Sequence, residues 1–198
     1  GHSIGGHLIA RAAAAVPGRF KHAVLVDPVL MSPQAYTNFH QLVGDLKVED
    51  HPVCRRKNSW QDADEMYHRF CDKPPFDSWQ PEVLRDYCDY ALRPSGETGV
   101  QQLACDPINE ASVYMTSAGF SGIYDELANL RTPVTLLRAA GNEGGPTNLS
   151  QSPTWPGLAD FLPDCHEVYL PQLNHFIPMQ DPQLVARHIA EAQVGNWS

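Results

Sequence analysis

The chain has 198 residues, of which 42% are hydrophobic and 19% charged, and a formal net charge of −9 at neutral pH. That is enough apolar material for one medium domain, or a core with a smaller appendage, and it argues against wholesale disorder. The acidic balance argues against nucleic acid or an anionic membrane surface as the main partner, because both reward basic patches, and no apolar run approaches the roughly 18–20 residues of a membrane span.

The first residues carry the first motif. Gly1-His2-Ser3-Ile4-Gly5 is G-x-S-x-G, a pattern that sets a serine on a sharp strand-to-helix turn with its hydroxyl lifted above a sheet edge. Gly1 and Gly5 are expected to remove Cβ atoms that would clash in that turn, and Gly6 to let the following helix pack close to the sheet. A helix is predicted over residues 7–16, ended by Pro17-Gly18. A short apolar strand, Ala23–Val26, follows and runs into Asp27-Pro28.

Residues 31 to about 128 are far too many for a simple loop, and they read as helical. Ser59 and Asp62 mark a helix start before Ala63–Phe70. Trp79-Gln80-Pro81-Glu82 starts a second helix that continues through Leu92, and Asp106-Pro107 starts a third that contains Val113 and Tyr114. Pro74-Pro75, Pro94-Ser95-Gly96 and Gly119 punctuate the stretch. Its many aromatic residues, Trp60, Tyr67, Phe70, Phe76, Trp79 and Tyr87 among them, lie at helical spacing and are expected to form mainly core rather than substrate wall.

Two more apolar strands are predicted over residues 133–138 and 166–170, the second leading to Asn174-His175-Phe176. A last helix begins at Asp181-Pro182, with Asp181 as N-cap and Pro182 at the first helical position. Strands alternating with helices imply an α/β fold with a parallel sheet and crossover helices. The five cysteines, Cys54, Cys71, Cys88, Cys105 and Cys165, are odd in number and form no C-x-x-C pair. Free thiols in a reducing compartment are therefore expected, which favours a soluble cytoplasmic setting.

Gly-His-Ser-x-Gly-Gly at residues 1–6 and Asn-His-Phe-Ile-Pro-Met-x-Asp-Pro at residues 174–182 are similar to signatures of the α/β-hydrolase superfamily. The order of elbow serine, carboxylate and late histidine resembles it too. The resemblance covers residues 1–30 and about 131–195. It implies the second half of an α/β-hydrolase sheet, with residues 1–30 and 129–198 as core and 31–128 as a helical cap or lid inserted over the site. It also implies that the N-terminal strands and the loop after the third strand are absent from this chain, which would then be a fragment or be completed by another chain.

The resemblance assigns Ser3 as nucleophile, His175 as general base and then acid, and the N–H of Ile4 as one oxyanion donor. His2 would support the turn. The orienting acid is open between two positions. The loop that usually carries it reads Gly141-Asn142-Glu143, with Asn142 where Asp is expected and Glu143 adjacent. A minority of the family places the acid at the end of the preceding strand, where Asp27 stands and is preferred.

These assignments imply a serine hydrolase that cleaves a carboxylic ester or lactone of an apolar small molecule through an acyl-enzyme, without metal or organic cofactor. Serine at the elbow argues against dehalogenase or epoxide-hydrolase chemistry, which uses a carboxylate there. The alternative is a relative that binds ligands without catalysis, or an inactive fragment.

Overall fold

The computed structural model describes residues 1–43, 47–96, 99–117, 122–141 and 150–194. In chain order the main elements are helix α1 (Ile4–Ala15), strand β1 (Ala23–Val26), α2 (Pro33–Val43), β2 (Ser59–Trp60), α3 (Ala63–Phe70), α4 (Pro81–Tyr90), β3 (Leu92–Pro94), β4 (Gln101–Leu103) and α5 (Pro107–Ser117). There follow α6 (Ile123–Leu127), β5 (Val134–Ala139), α7 (Leu158–Phe161), β6 (Cys165–Leu170), α8 (Ile177–Gln180) and α9 (Pro182–Val194). The chain divides into two compact units, Gly1–Asn38 with Phe120–Ser198, and Phe39–Gly119.

The first unit is built on a parallel sheet of order β1-β5-β6. Parallel pairs need crossovers; β1 and β5 are largely buried on both faces, as such sheets require, while β6 at the edge exposes His166 and Tyr169. The period of two along each strand sorts their side chains. Ala23 and Leu25 of β1, Val134 and Leu136 of β5, and Cys165 of β6 pack with Ala10 and Ala13 of α1, Ile123 and Leu127 of α6, and Leu158 of α7. Val24 and Val26, Leu137 and Ala139, and Val168 and Leu170 pack on the other side with Ile177 of α8 and Leu184 and Val185 of α9. A fully buried leucine such as Leu25 or Leu136 contributes about 2 kcal/mol through burial.

Residues 31–38 and 122–128, which the sequence reading grouped with the central insertion, pack here against the sheet. Tyr36 and Tyr124 belong to the same buried cluster as Leu25 and Leu136, and Tyr124 meets the rings of Trp155 and Phe161 edge-on.

Helix α9 begins as the sequence predicts, for the Leu184 N–H donates to Asp181 Oδ1 at 2.8 Å, one of the orphan amides a helix start must satisfy. Gly1, His2 and Ser3 lie along the outer edge of β1. Val26 N–H donates to Gly1 O at 2.8 Å, Ser3 N–H donates to Val26 O at 3.1 Å, and His2 bridges to Val26 in parallel.

The second unit corrects the all-helical reading. It contains an antiparallel sheet of order β2-β4-β3 beside α3, α4 and α5. Helix α4 ends at Tyr90, and Leu92 belongs to β3 rather than to the helix. Ala104 N–H donates to Ala91 O at 2.7 Å and Ser95 N–H to Val100 O at 3.0 Å, closing a hairpin around Pro94. Pro94 ends the strand, a position where the missing proline N–H costs the ladder least. Ser59 lies in β2, and Asp62 alone caps α3, accepting from Glu65 N at 2.8 Å.

Trp60, Met66, Leu84, Cys88 and Leu103 form the buried centre of this unit, with Tyr67, Phe70, Phe76, Trp79 and Tyr87 packed around them. The Arg56 guanidinium pairs with Glu110 and donates to the Tyr87 hydroxyl at 3.0 Å. No helix among the described residues is long and apolar enough to cross a membrane.

Candidate active site

Ser3 sits between the β1 edge and the start of α1, at φ 55° and ψ −126°. Among the described residues it and Asp27, at φ 42°, are the two non-glycine residues with positive φ. Such a backbone costs about 1–3 kcal/mol and persists only where the surroundings impose it. Here they do. The Ser3 N–H is held by Val26 O, and the Ser3 carbonyl accepts from Val29 N at 3.1 Å and Gly6 N at 3.0 Å.

Close approach explains two of the three elbow glycines. A Cβ on Gly1 would lie 2.4 Å from Gly5 O, and one on Gly6 would lie 2.8 Å from Pro28 Cβ. A Cβ on Gly5 would meet nothing within 4 Å, so the steric role expected of Gly5 is not there. The crowded approach is between the first turn of α1 and the residue after Asp27.

The Ser3 hydroxyl does not cap its own helix, although serine commonly does at this position. Its Oγ lies 2.9 Å from His175 Nε2. On the other side of the ring, His175 Nδ1 lies 2.7 Å from Asp27 Oδ2. A carboxylate only accepts, so Nδ1 carries the proton, and in the neutral ring Nε2 offers its lone pair to the serine O–H. Asp27 is wholly buried and His175 only 8% exposed.

The buried carboxylate is well satisfied. Asp27 Oδ1 accepts from Ala139 N–H at 2.9 Å and from the Ser152 hydroxyl at 2.7 Å, with Thr154 Oγ1 at 3.4 Å. Such bonds offset the cost of removing the charge from water. Ser152 and Thr154 are neighbours of Asp27 that the sequence reading missed, because nothing in the polar run around Pro153 marks them as facing a strand end far upstream.

His175 stands in the turn between β6 and α8. Its N–H donates to Ser150 O at 2.9 Å, and Asn174 Oδ1 accepts from Phe176 N at 2.9 Å. His2 does more than support the elbow. Its Nε2–H donates to the His175 carbonyl at 2.7 Å, and the two rings lie 4.9 Å apart. Burial pushes its pKa from 6.5 down to about 4, outweighing the hydrogen bond to the His175 carbonyl, which acts to raise it, so His2 is neutral at physiological pH.

Ile4 is the first residue of α1. Its N–H has no acceptor within the helix and lies at the positive end of the helix dipole. The structure thus brings Ser3, Ile4, Asp27 and His175 to one place. Asn142 and Glu143 lie outside the described residues.

Residues 1–188 match the family model described as the Alpha/beta hydrolase family. The chain belongs to that family. No curated protein sequence matches it. Among solved structures, E-2-(acetamidomethylene)succinate hydrolase is similar with a TM-score of 0.65 at 16% identity, over 98% of this chain and 65% of that one. A peroxisomal alpha-beta-hydrolase from Saccharomyces cerevisiae gives 0.70 at 16% identity, over 100% and 53%. An esterase from Mycobacterium tuberculosis gives 0.66 at 18% identity, over 98% and 61%. At such identities the likeness is one of fold. This α/β-hydrolase chain spans between 53% and 65% of the length of those three.

Proposed function

We propose that the protein is a serine hydrolase that cleaves a carboxylic ester or lactone of an apolar small molecule. The observation that supports this best is the chain of contacts Ser3 Oγ, His175 Nε2 and Nδ1, Asp27 Oδ2, at 2.9 and 2.7 Å. Ser3 is the nucleophile. As its oxygen attacks the carbonyl carbon, His175 Nε2 takes the hydroxyl proton, and the imidazolium so formed faces the Asp27 carboxylate.

The Ile4 N–H donates to the oxyanion of the tetrahedral intermediate, a term worth several kcal/mol when preorganised. His175 then returns the proton to the leaving alcohol, giving an acyl-Ser3 ester. Water, deprotonated by the same ring, releases the acid and restores the serine. This cycle needs neither metal nor organic cofactor. In this reading the second unit, Phe39–Gly119, is the family's cap and supplies the apolar selectivity. Further strands, from residues outside this chain or from a complementing chain, supply the rest of the sheet and the second oxyanion donor.

A fluorophosphonate probe tests the proposal on the intact protein, with peptide mapping and p-nitrophenyl esters of graded chain length. Stoichiometric labelling of Ser3, lost with hydrolysis in Ser3→Ala, is the expected result. Hydrolysis that persists in Ser3→Ala defeats it. A folded protein that binds apolar ligands but takes no label favours the ligand-binding relative instead.

A further inference from the structure

The acid and the base of the proposed triad are braced by one short segment, residues 150–155. At its start Ser150 O accepts from the His175 N–H at 2.9 Å. In the middle the Ser152 hydroxyl donates to Asp27 Oδ1 at 2.7 Å. Next, the Thr154 hydroxyl donates to Pro28 O at 2.7 Å. Then Trp155 N–H donates to Leu30 O at 2.8 Å, while Ser152 N–H ties the segment to Ala140 O at 3.2 Å.

Ser152 is 4% and Thr154 5% exposed, so these bonds are shielded from water. A Cβ on Gly141 would lie 2.9 Å from Ser152 O and 3.1 Å from Ser152 Cβ. The glycine therefore lets the end of β5 and the Ser152 backbone approach closely, a contact a larger residue at 141 would disturb.

We infer that Ser152 is a positioning residue of this hydrolase, its hydroxyl holding the Asp27 carboxylate so that Oδ2 points at His175 Nδ1. The inference rests on the serine-hydrolase reading and deepens it. Asp27 stands at a sheet end where its φ is 42°, and one carboxylate oxygen must be anchored if the other is to meet the imidazole. The Ala139 N–H and the Ser152 O–H supply that anchor. The hydroxyl is also a charge-assisted donor, so the anchor it gives the carboxylate is stronger than a bond between neutral groups.

Ser152→Ala is the test, read on the intact protein by kcat and KM on an activated ester. Loss of one bond to a charged group predicts a fall in kcat of about 10- to 100-fold, with KM little changed. In an Asp27→Asn background the same substitution has almost no further effect on kcat, because the two act as one unit.

Ser152→Cys, of similar size but a weak donor, reproduces the loss in kcat if the alanine protein folds poorly. The low-field proton resonance of His175 Nδ1–H gives a readout that needs no turnover, and it moves in either variant. An unchanged kcat, an unmoved resonance, or losses that multiply in the double variant overturn the inference. Failure of the hydrolase reading shows separately, as a wild-type protein that does not label at Ser3.

Discussion

His175 and Asp27, 148 residues apart in the chain, meet through a 2.7 Å hydrogen bond from Nδ1 to Oδ2. That contact is what favours Asp27 in the proposed triad, because it selects the imidazole tautomer that faces Ser3. Asp27→Asn offers an amide to Nδ1 and removes the charge that steadies the imidazolium. Steady-state kinetics should show kcat lower by about 10⁴-fold, with circular dichroism unchanged. Glu143→Gln should leave kcat nearly as it was. The reverse ranking would move the acid to Glu143.

The elbow glycines separate into one that space demands and one that it does not. Gly6→Ala puts a Cβ 2.8 Å from Pro28 Cβ and 3.0 Å from Gly1 O. Neither neighbour is the loose end of a flexible chain, so the elbow must shift. Denaturant unfolding should show a loss of about 1–3 kcal/mol. Gly5→Ala meets nothing within 4 Å and gains helix propensity of up to about 1 kcal/mol. Its midpoint should stay or rise. Equal losses in the two variants would contradict the packing described for α1 against Pro28.

Strong local signals were legible in the sequence because local chemistry makes them. The apolar run Ala23–Val26 is a buried parallel strand, Asp181 caps α9, and the turn at Ser3 follows from its motif. Long-range pairings were not legible. Leu92 has the spacing to continue α4, yet pairing with Leu103 draws it into a strand. Ser152 reaches Asp27 across a separation of 125 residues, and no local pattern encodes that meeting. Tyr36 and Tyr124 pack with the sheet core because of where their helices return, which composition does not reveal.

The Ile4 amide can be tested without touching a side chain. Semisynthesis that replaces the Ser3–Ile4 amide by an ester deletes that one N–H. As the first residue of α1, Ile4 gives up no helical hydrogen bond, so the fold should hold. Loss of a preorganised oxyanion donor predicts a kcat lower by about 10²- to 10³-fold. Ser3 should remain in place opposite His175. A kcat close to that of the all-amide protein would remove Ile4 from the oxyanion site.

His2 ties stability to pH. Its ordinary pKa of 6.5 falls to about 4 in the folded protein, mainly through burial. Above the unfolded value the ring is neutral in both states and contributes no pH dependence. As pH drops below about 6.5 the unfolded chain binds a proton that the folded one refuses, so stability falls until about pH 4, where both are protonated. The full loss is on the order of 3 kcal/mol. His2→Gln keeps a donor for the His175 carbonyl but cannot titrate. Urea unfolding in mildly acidic and neutral buffers should therefore show the wild type losing more stability on acidification than the variant. His7 and His22 are also held below their ordinary values by burial, but they are common to both proteins and cancel in the difference. Parallel declines in the two proteins would mean that the His2 ring accepts its proton without leaving its place against His175.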